Sequence, residues 1–508
     1  MSQYHMKVTV SSHNFACTRL SPRGRELCNI FARKFLAWGW ENVGGRFTKV
    51  MKKVYASATD DRSTYRFHIN SLDDFKKMLT GVGISLSLIE WVESAQYEPV
   101  KAKFTVRDGW VPKDYQGPVI EYLTAPTPAA KIAELPTGYG KGFCAIKAIS
   151  DLGVRCVGII KPQYIAKWVI ELKQILTDVD DEILVVRGDG QLTALIDLAR
   201  EGKLTEKIIL ISGATFRNWI SKYEEVGEEI LDLGYSCTPY NFFEYIGAGV
   251  RLIDECHQDF HFYFKLDTYS NIPASISLSA TLINKDPFLV NMYSIMFPLN
   301  DRLPKMAMDR YIDVGAVHFN FKDASKIRTV EYGSRSYSHG AVEKSIIRHV
   351  PTMLNYFKLI KHILDISYFR NKLPEDKAII FAASIDLCTR LTKYLKAQYP
   401  HLDIRRYVED DPYENIIDAD IRVTTIGSGG TAIDIPNLST GIMTTALDSI
   451  QGNAQALGRL RRRKEGKTEF YYFVADNIEK QMHYHVAKKD FLADRVKTFR
   501  DINSGHSV

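Results

Sequence analysis

Residues 134–143 read ELPTGYGKGF, and the reading of these positions decides the fold. An apolar segment runs into Pro136, Gly138 and Gly140 flank Tyr139, and Lys141 precedes a stretch, FCAIKAIS, with helical spacing. Glycines let backbone N–H groups close around phosphate oxygens at a helix N-terminus, and a lysine adds a point charge there. Pro136, Thr137, Gly138, Tyr139, Gly140, Lys141 and Gly142 are therefore candidate nucleotide-binding positions. The pattern GxxxxGK[ST] is only half met. Leu135 replaces its first glycine, and Gly142 stands where a hydroxyl would help hold Mg²⁺.

Outward from the loop, VRCVGIIKP, KIILISGAT, GVRLIDE and SISLSAT are short runs apolar enough for parallel strands covered on both faces. A second series contains KAIIFAAS, ADIRVTTIGSGG, TGIMTTA and TEFYYFVA. The expected architecture is two α/β domains in tandem, 106–300 and 346–475. Residues 301–345 read as a β insertion or linker, and 476–508 as a helical tail. Residues 1–105 read as a small α+β domain. Its first helix starts at Ser21-Pro22 and runs toward Trp38, and two strands flank the turn Thr59-Asp60-Asp61-Arg62. A second helix starts at Ser71, with Asp73 and Asp74 where the helix dipole favours them.

The charge is unevenly placed along the 508 residues, whose net charge is +6. Residues 1–110 hold 17 Lys/Arg against 10 Asp/Glu, so the remainder is close to neutral. A basic module beside a neutral one suggests a polyanionic partner, with Arg46, Lys49, Lys52 and Lys53 as phosphate contacts. No apolar run approaches the ~18 residues of a membrane span, and MSQYHMKVTV lacks the apolar core of a secretion signal. The seven cysteines are scattered without a CxxC pair, which favours reduced thiols over zinc or disulfides. A cytoplasmic protein with no membrane partner is the expectation.

RLIDECHQDF, residues 251–260, supplies the second chemical element. Adjacent carboxylates at a strand end divide the work: Asp254 toward Mg²⁺, Glu255 orienting and polarising an attacking water. With the loop about a hundred residues upstream, DECH makes the chain resemble superfamily 2 helicases, whose further motifs follow in family order. WVPKDYQGPVIEYL resembles the adenine-reading segment, with Tyr115 and Gln116 at its centre. GIIKPQYIAKW (Lys161, Pro162) and LISGATF (Ser212, Thr215) resemble nucleic-acid backbone contacts, as do Ser384, Thr424 and Thr425. In LSATL, Ser279 and Thr281 would link hydrolysis to strand movement together with His257. TTIGSGGTAIDIPNL adds Gly430, Thr431 and Asp434, the last toward ATP, and QALGRLRRR adds Gln455, Gly458, Arg459 and Arg462.

The resemblance implies two RecA-like motor domains with ATP and Mg²⁺ as ligands. Arg459 and Arg462 would reach the γ-phosphate, where an arginine is worth about 10³–10⁵ in rate. Lys141, Glu255, Gln455 and the two arginines are the implied catalytic set. Since Mg²⁺ ordinarily keeps several waters, Gly142 would leave room for one more, giving a live ATPase with weaker Mg²⁺ affinity. TTIGSGGTAID and the small leading domain resemble the UvsW-like helicases of tailed phages. That implies a monomeric DNA helicase remodelling forks and Holliday junctions by branch migration. Segment 310–340, rich in Tyr, Phe and β-formers, reads either as a structural β insertion between the motor domains or as a strand-separating hairpin with Tyr332 and Tyr337 as stacking residues. The alternatives are an RNA helicase, or an ATP-gated DNA clamp to which Gly142 would point.

Overall fold

The structure, a computed structural model, describes residues 4–508 except 44–45, 137, 280–281, 283, 285, 305–309, 334–335, 410, 413, 430–434 and 464. It divides into two compact units, Met1–Leu135 with Tyr139–Lys305, and Met306–Val508 with Pro136–Gly138.

The first unit is built on a six-stranded sheet, in the order Ile183–Val186, Ile208–Ser212, Cys156–Ile160, Val250–Ile253, Ala274–Ser279, Ala130–Glu134. Every neighbouring pair is parallel. The strands 156–160, 208–212 and 250–253 are buried at every position, as their unbroken apolar runs require when helices cover both faces. Crossover helices include Lys141–Leu152, Ile165–Ile175, Asp189–Arg200 and Gly213–Val226.

Packed in the same unit is a five-stranded sheet, in the order Ser57–Ala58, Tyr65–His68, Asn14–Thr18, Met6–Val10, Ile89–Glu93. The expected helices are present. Ser21 caps Pro22–Ala32 through Gly24 N (3.1 Å), and Leu72–Gly81 carries Asp73 and Asp74 in its first turn. The first helix stops short of Trp38, however. Leu36–Val43 and Arg46–Val54 form an antiparallel hairpin of their own, so 46–54 pairs with 36–43 rather than across the turn at 59–62. The two tryptophans and Val43 of LAWGWENV favour a strand and override the helical spacing that precedes them.

This small domain does not stand apart from the parallel sheet. Its core (Phe15, Phe31, Phe35, Phe67, Phe75) belongs to the hydrophobic cluster that continues through Phe264, Tyr263 and Phe260. A buried polar cluster ties the two together. Arg251 pairs with Asp267, His68 Nε2 lies 3.2 Å from Asp267 Oδ2, and Asn14 Nδ2 donates to Ser270 O at 2.8 Å. The side chains of Arg251, Asp267 and His68 are fully buried.

The second unit holds a seven-stranded sheet, in the order Ile404–Tyr407, Ile421–Thr425, Lys377–Ala382, Leu438–Met443, Thr468–Ala475, Ile312–Asn320, Thr498–Ser507. All pairs are parallel. Two sequence expectations are corrected here. Ile312–Asn320 is no insertion or wedge: it is buried between two strands of the sheet, and its apolar residues (Val314, Ala316, Val317, Phe319) lie in the core. The tail is helical only over Glu479–Leu492 and then adds the edge strand 498–507. That strand alternates exposed with half-buried residues, an edge pattern easily taken for a polar tail.

Candidate functional site

The strand Ala130–Glu134 ends in Leu135 and Pro136, and the backbone then turns through Gly138 (φ +91°) and Gly140 (φ +78°). Both glycines are in the left-handed region, where L side chains are strained. Gly140 caps the helix that Lys141 opens, so the lysine sits at a positive helix end. The loop is braced from upstream by Gln116, which is buried. Its Nε2 donates to Tyr139 O at 3.0 Å, and its Oε1 accepts from Lys113 N at 2.9 Å. A Cβ on Gly140 would collide with Gln116 Nε2. The Tyr115 and Tyr139 rings lie 5.3 Å apart, so the implied adenine-reading segment does meet the loop. Thr137 lies outside the described residues.

Across the sheet, Val250–Ile253 delivers Asp254 and Glu255 at its carboxyl end, the edge at which open parallel sheets bind ligands. Asp254 is buried, with Oδ1 accepting from Glu255 N (2.9 Å) and Oδ2 from Trp168 Nε1 (2.9 Å). Lys167 Nζ lies 3.8 Å from the same Oδ2. Glu255 has φ +49°, uncommon outside glycine and costing of order 1–3 kcal/mol. That turn brings its Oε1 to 3.8 Å from Lys141 Nζ and its Oε2 to 3.4 Å from His257 Nδ1. His257 Nδ1 in turn lies 2.9 Å from Ser279 Oγ, on the adjacent strand. Burial, then the Lys141 and Lys161 ammonium groups, hold His257 down at about 4, so its ring is neutral at neutral pH. A continuous polar path thus runs from Lys141 through Glu255 and His257 to Ser279. Thr281 is not among the described residues.

The implied backbone contacts sit at other strand ends. Lys161 and Pro162 follow Cys156–Ile160; Lys161 Nζ donates to Gln258 Oε1 at 2.9 Å, and burial, then Arg217, lower its pKa. Ser212 ends Ile208–Ser212 and is buried. Thr215 is also buried, its hydroxyl accepting from Gly188 N at 2.7 Å. In the second unit, Ser384 caps Ile385–Gln398 and donates to Glu343 Oε2 at 2.6 Å. Burial raises the Glu343 carboxyl to about 7, against the donors Ser384 and Ala383 N. Thr424 is fully buried, and Thr425 Oγ1 caps the turn at Ser428 N (3.2 Å). Gln455 lies on the helix Ile450–Leu457; Arg459, buried, and Arg462, exposed, follow it past Gly458. Gly430, Thr431 and Asp434 fall outside the described residues.

The hairpin carries the basic residues of the small domain. Arg46 opens its second strand. Lys49, Lys52 and Lys53 are exposed, and Lys52 pairs with Glu41 at 2.8 Å. One face also shows residues that charge counting missed. Trp38 and Trp40 are 53% and 68% exposed, beside Met51 and Lys49 as their cross-strand partners, with Lys49 Nζ 5.9 Å from the Trp38 ring. The alternation Trp38-Gly39-Trp40 was the available signal, since period 2 puts both rings on one face. The expected stacking pair fares otherwise. Tyr332 is fully exposed, but Tyr337 is largely buried and its hydroxyl bonds His339 Nδ1 and Gln481 Nε2, both at 2.9 Å.

No protein family and no curated protein matches the sequence. Solved structures do. Mss116p bound to single-stranded RNA and AMP-PNP matches with TM-score 0.51 and 15% identity over 81% of this chain and 82% of that one. S. cerevisiae Dbp5 bound to RNA and ADP BeF3 matches with TM-score 0.48 and 12% identity over 77% of this chain and 90% of that one. A fragment of a putative HsdR subunit of a type I restriction enzyme from Vibrio vulnificus matches with TM-score 0.48 and 14% identity over 97% of this chain and 89% of that one. The chain has two tandem RecA-like parallel-sheet domains preceded by a small α+β domain, the two-domain fold of the Mss116p structure. The likeness is one of fold; the UvsW-like placement rests on sequence resemblance alone. The expectation of branched DNA as partner and branch migration as function is corrected, because the Mss116p structure that shares this fold carries RNA.

Proposed function

We propose that the protein is an RNA-dependent ATPase of the helicase type, coupling ATP hydrolysis to movement on or separation of RNA. The observation that carries this reading is the polar path Lys141–Glu255–His257–Ser279 at the carboxyl edge of a parallel sheet, beside the buried Asp254. Lys141 and the loop amides bind the phosphates, Tyr115 and Gln116 take the base, and Glu255 orients the attacking water. Neutral His257 relays the state of Glu255 to Ser279. The hard oxygen donor of Asp254 fits Mg²⁺, which when bound neutralises phosphate charge. The Trp38/Trp40 face with Lys49 suits single-stranded RNA, offering rings for bases and a cation for backbone.

The test is steady-state ATP hydrolysis with no nucleic acid, single-stranded RNA, RNA duplex with an overhang, and matched DNA, using Glu255→Gln as blank. Turnover stimulated by RNA and abolished in the blank is the expected result. Stimulation by DNA alone, or no turnover above the blank with any strand, overturns the reading.

A further inference from the structure

Gly142 occupies the loop position whose side chain would ordinarily offer Mg²⁺ a hydroxyl. The space beside it is not left to water. A Cβ built on Gly142 would lie 2.5 Å from Glu171 Oε2 and 3.4 Å from its Cδ. No side chain fits at 142 unless Glu171 moves, so the glycine and the carboxylate occupy one another's room. Glu171 sits on the helix Ile165–Ile175, which already serves the metal position. From that helix Trp168 Nε1 donates to Asp254 Oδ2 at 2.9 Å, and Lys167 Nζ stands 3.8 Å from the same oxygen. Lys167 Nζ is also 3.7 Å from Glu171 Oε1. The Lys167 ammonium thus lies within 3.8 Å of both Asp254 and Glu171, two carboxylates from different elements facing one cation and carrying one negative charge in excess of it.

Resting on the ATP-site reading above, we propose that Glu171 replaces the missing hydroxyl as a Mg²⁺ ligand, acting with Asp254. Mg²⁺ takes hard oxygen ligands at short, near-octahedral distances, and a carboxylate serves as well as a hydroxyl. The exchange adds a negative charge where the loop normally offers a neutral group. Lys167 offsets that charge and competes with the metal for the same two carboxylates. Gly142 is then half of a two-residue exchange, with the ligand supplied by a neighbouring helix instead of the loop. The expectation of an extra water and a merely weakened metal site gives way to this carboxylate.

The test reads metal binding directly, by electron paramagnetic resonance of Mn²⁺ titrated into the full chain with ADP. ADP binding without metal is measured beside it by calorimetry. Glu171→Gln is expected to weaken Mn²⁺ about tenfold without weakening metal-free ADP binding, since it removes a negative charge from beside the loop. Lys167→Gln should tighten Mn²⁺, the opposite sign. The pair Gly142→Ser with Glu171→Ala, which restores the loop hydroxyl and clears its room, should recover most of the loss. If Glu171→Gln binds Mn²⁺ like the parent while Asp254→Asn weakens it, the assignment of Glu171 is overturned and the ATP-site reading stands. If the parent binds no ADP, or Asp254→Asn changes nothing, the site reading itself falls.

Discussion

At the residue scale, the proposed ATPase site turns on Glu255, whose left-handed backbone aims one oxygen at Lys141 and the other at His257. Glu255→Gln keeps the shape and removes the charge. It should lower ATP turnover by about 10²–10⁴-fold while nucleotide still binds, which a coupled assay and fluorescent-nucleotide titration would separate. His257 differs in kind: it is a neutral ring in contact with both Glu255 and Ser279. Gln116 braces the loop with hydrogen bonds on both faces of its amide. Gln116→Ala should raise the ATP Kd by about tenfold, the effect of losing roughly 1–2 kcal/mol of hydrogen bonding, with turnover at saturation little changed. DECH and the lysine were legible in sequence because each is a local string. Glu171 was not, because it lies 29 positions from Gly142 and only helix packing brings them together.

At the element scale, the hairpin of Leu36–Val43 and Arg46–Val54 presents the exposed Trp38 and Trp40 on one face. Trp38→Ala and Trp40→Ala should each weaken RNA binding by about 1–3 kcal/mol, the usual worth of a base stacked on an aromatic, read by fluorescence anisotropy. The same variants should leave the salt dependence unchanged. Lys49→Ala should instead reduce the slope of log K against log salt by about 0.7, as loss of one phosphate contact on a single strand does. The sequence offered a wedge or a β insertion at 310–340 because aromatic and β-branched residues cluster there. In the structure Ile312, Val314, Val317 and Phe319 belong to the buried strand Ile312–Asn320, and composition cannot tell a buried central strand from an exposed ribbon.

At the scale of the whole molecule, the small domain and the first parallel sheet are one unit, joined through buried charge. Burial pushes the Asp267 carboxyl up, but Arg251 and His68 outweigh it and hold it below the usual carboxylate range. Asp267→Ala would leave Arg251 buried without its ion pair, and should cost about 3–5 kcal/mol, seen as a lower denaturation midpoint. Acid should act on the same unit. His13 is held down at about 3 and His257 at about 4, both chiefly by burial, against 6.5 for a free histidine. Below pH 6.5 the unfolded chain takes up protons that the folded one refuses. Stability is therefore complete above that pH and falls toward pH 4, by up to about 1.4 kcal/mol per unit for each histidine. Urea midpoints across pH 4–8 would check the sign. Strings such as ELPTGYGKGF, RLIDECHQDF and the apolar runs determined the fold class and the chemical set at the strand ends. A phosphate loop and a carboxylate pair are made by neighbours in the chain, and parallel strands declare themselves by being apolar throughout. Only the tertiary structure decided which strands complete the second sheet, where the exposed tryptophans face, and that a carboxylate fills the room of the absent hydroxyl. Those depend on contacts between residues far apart in sequence, which no local pattern encodes.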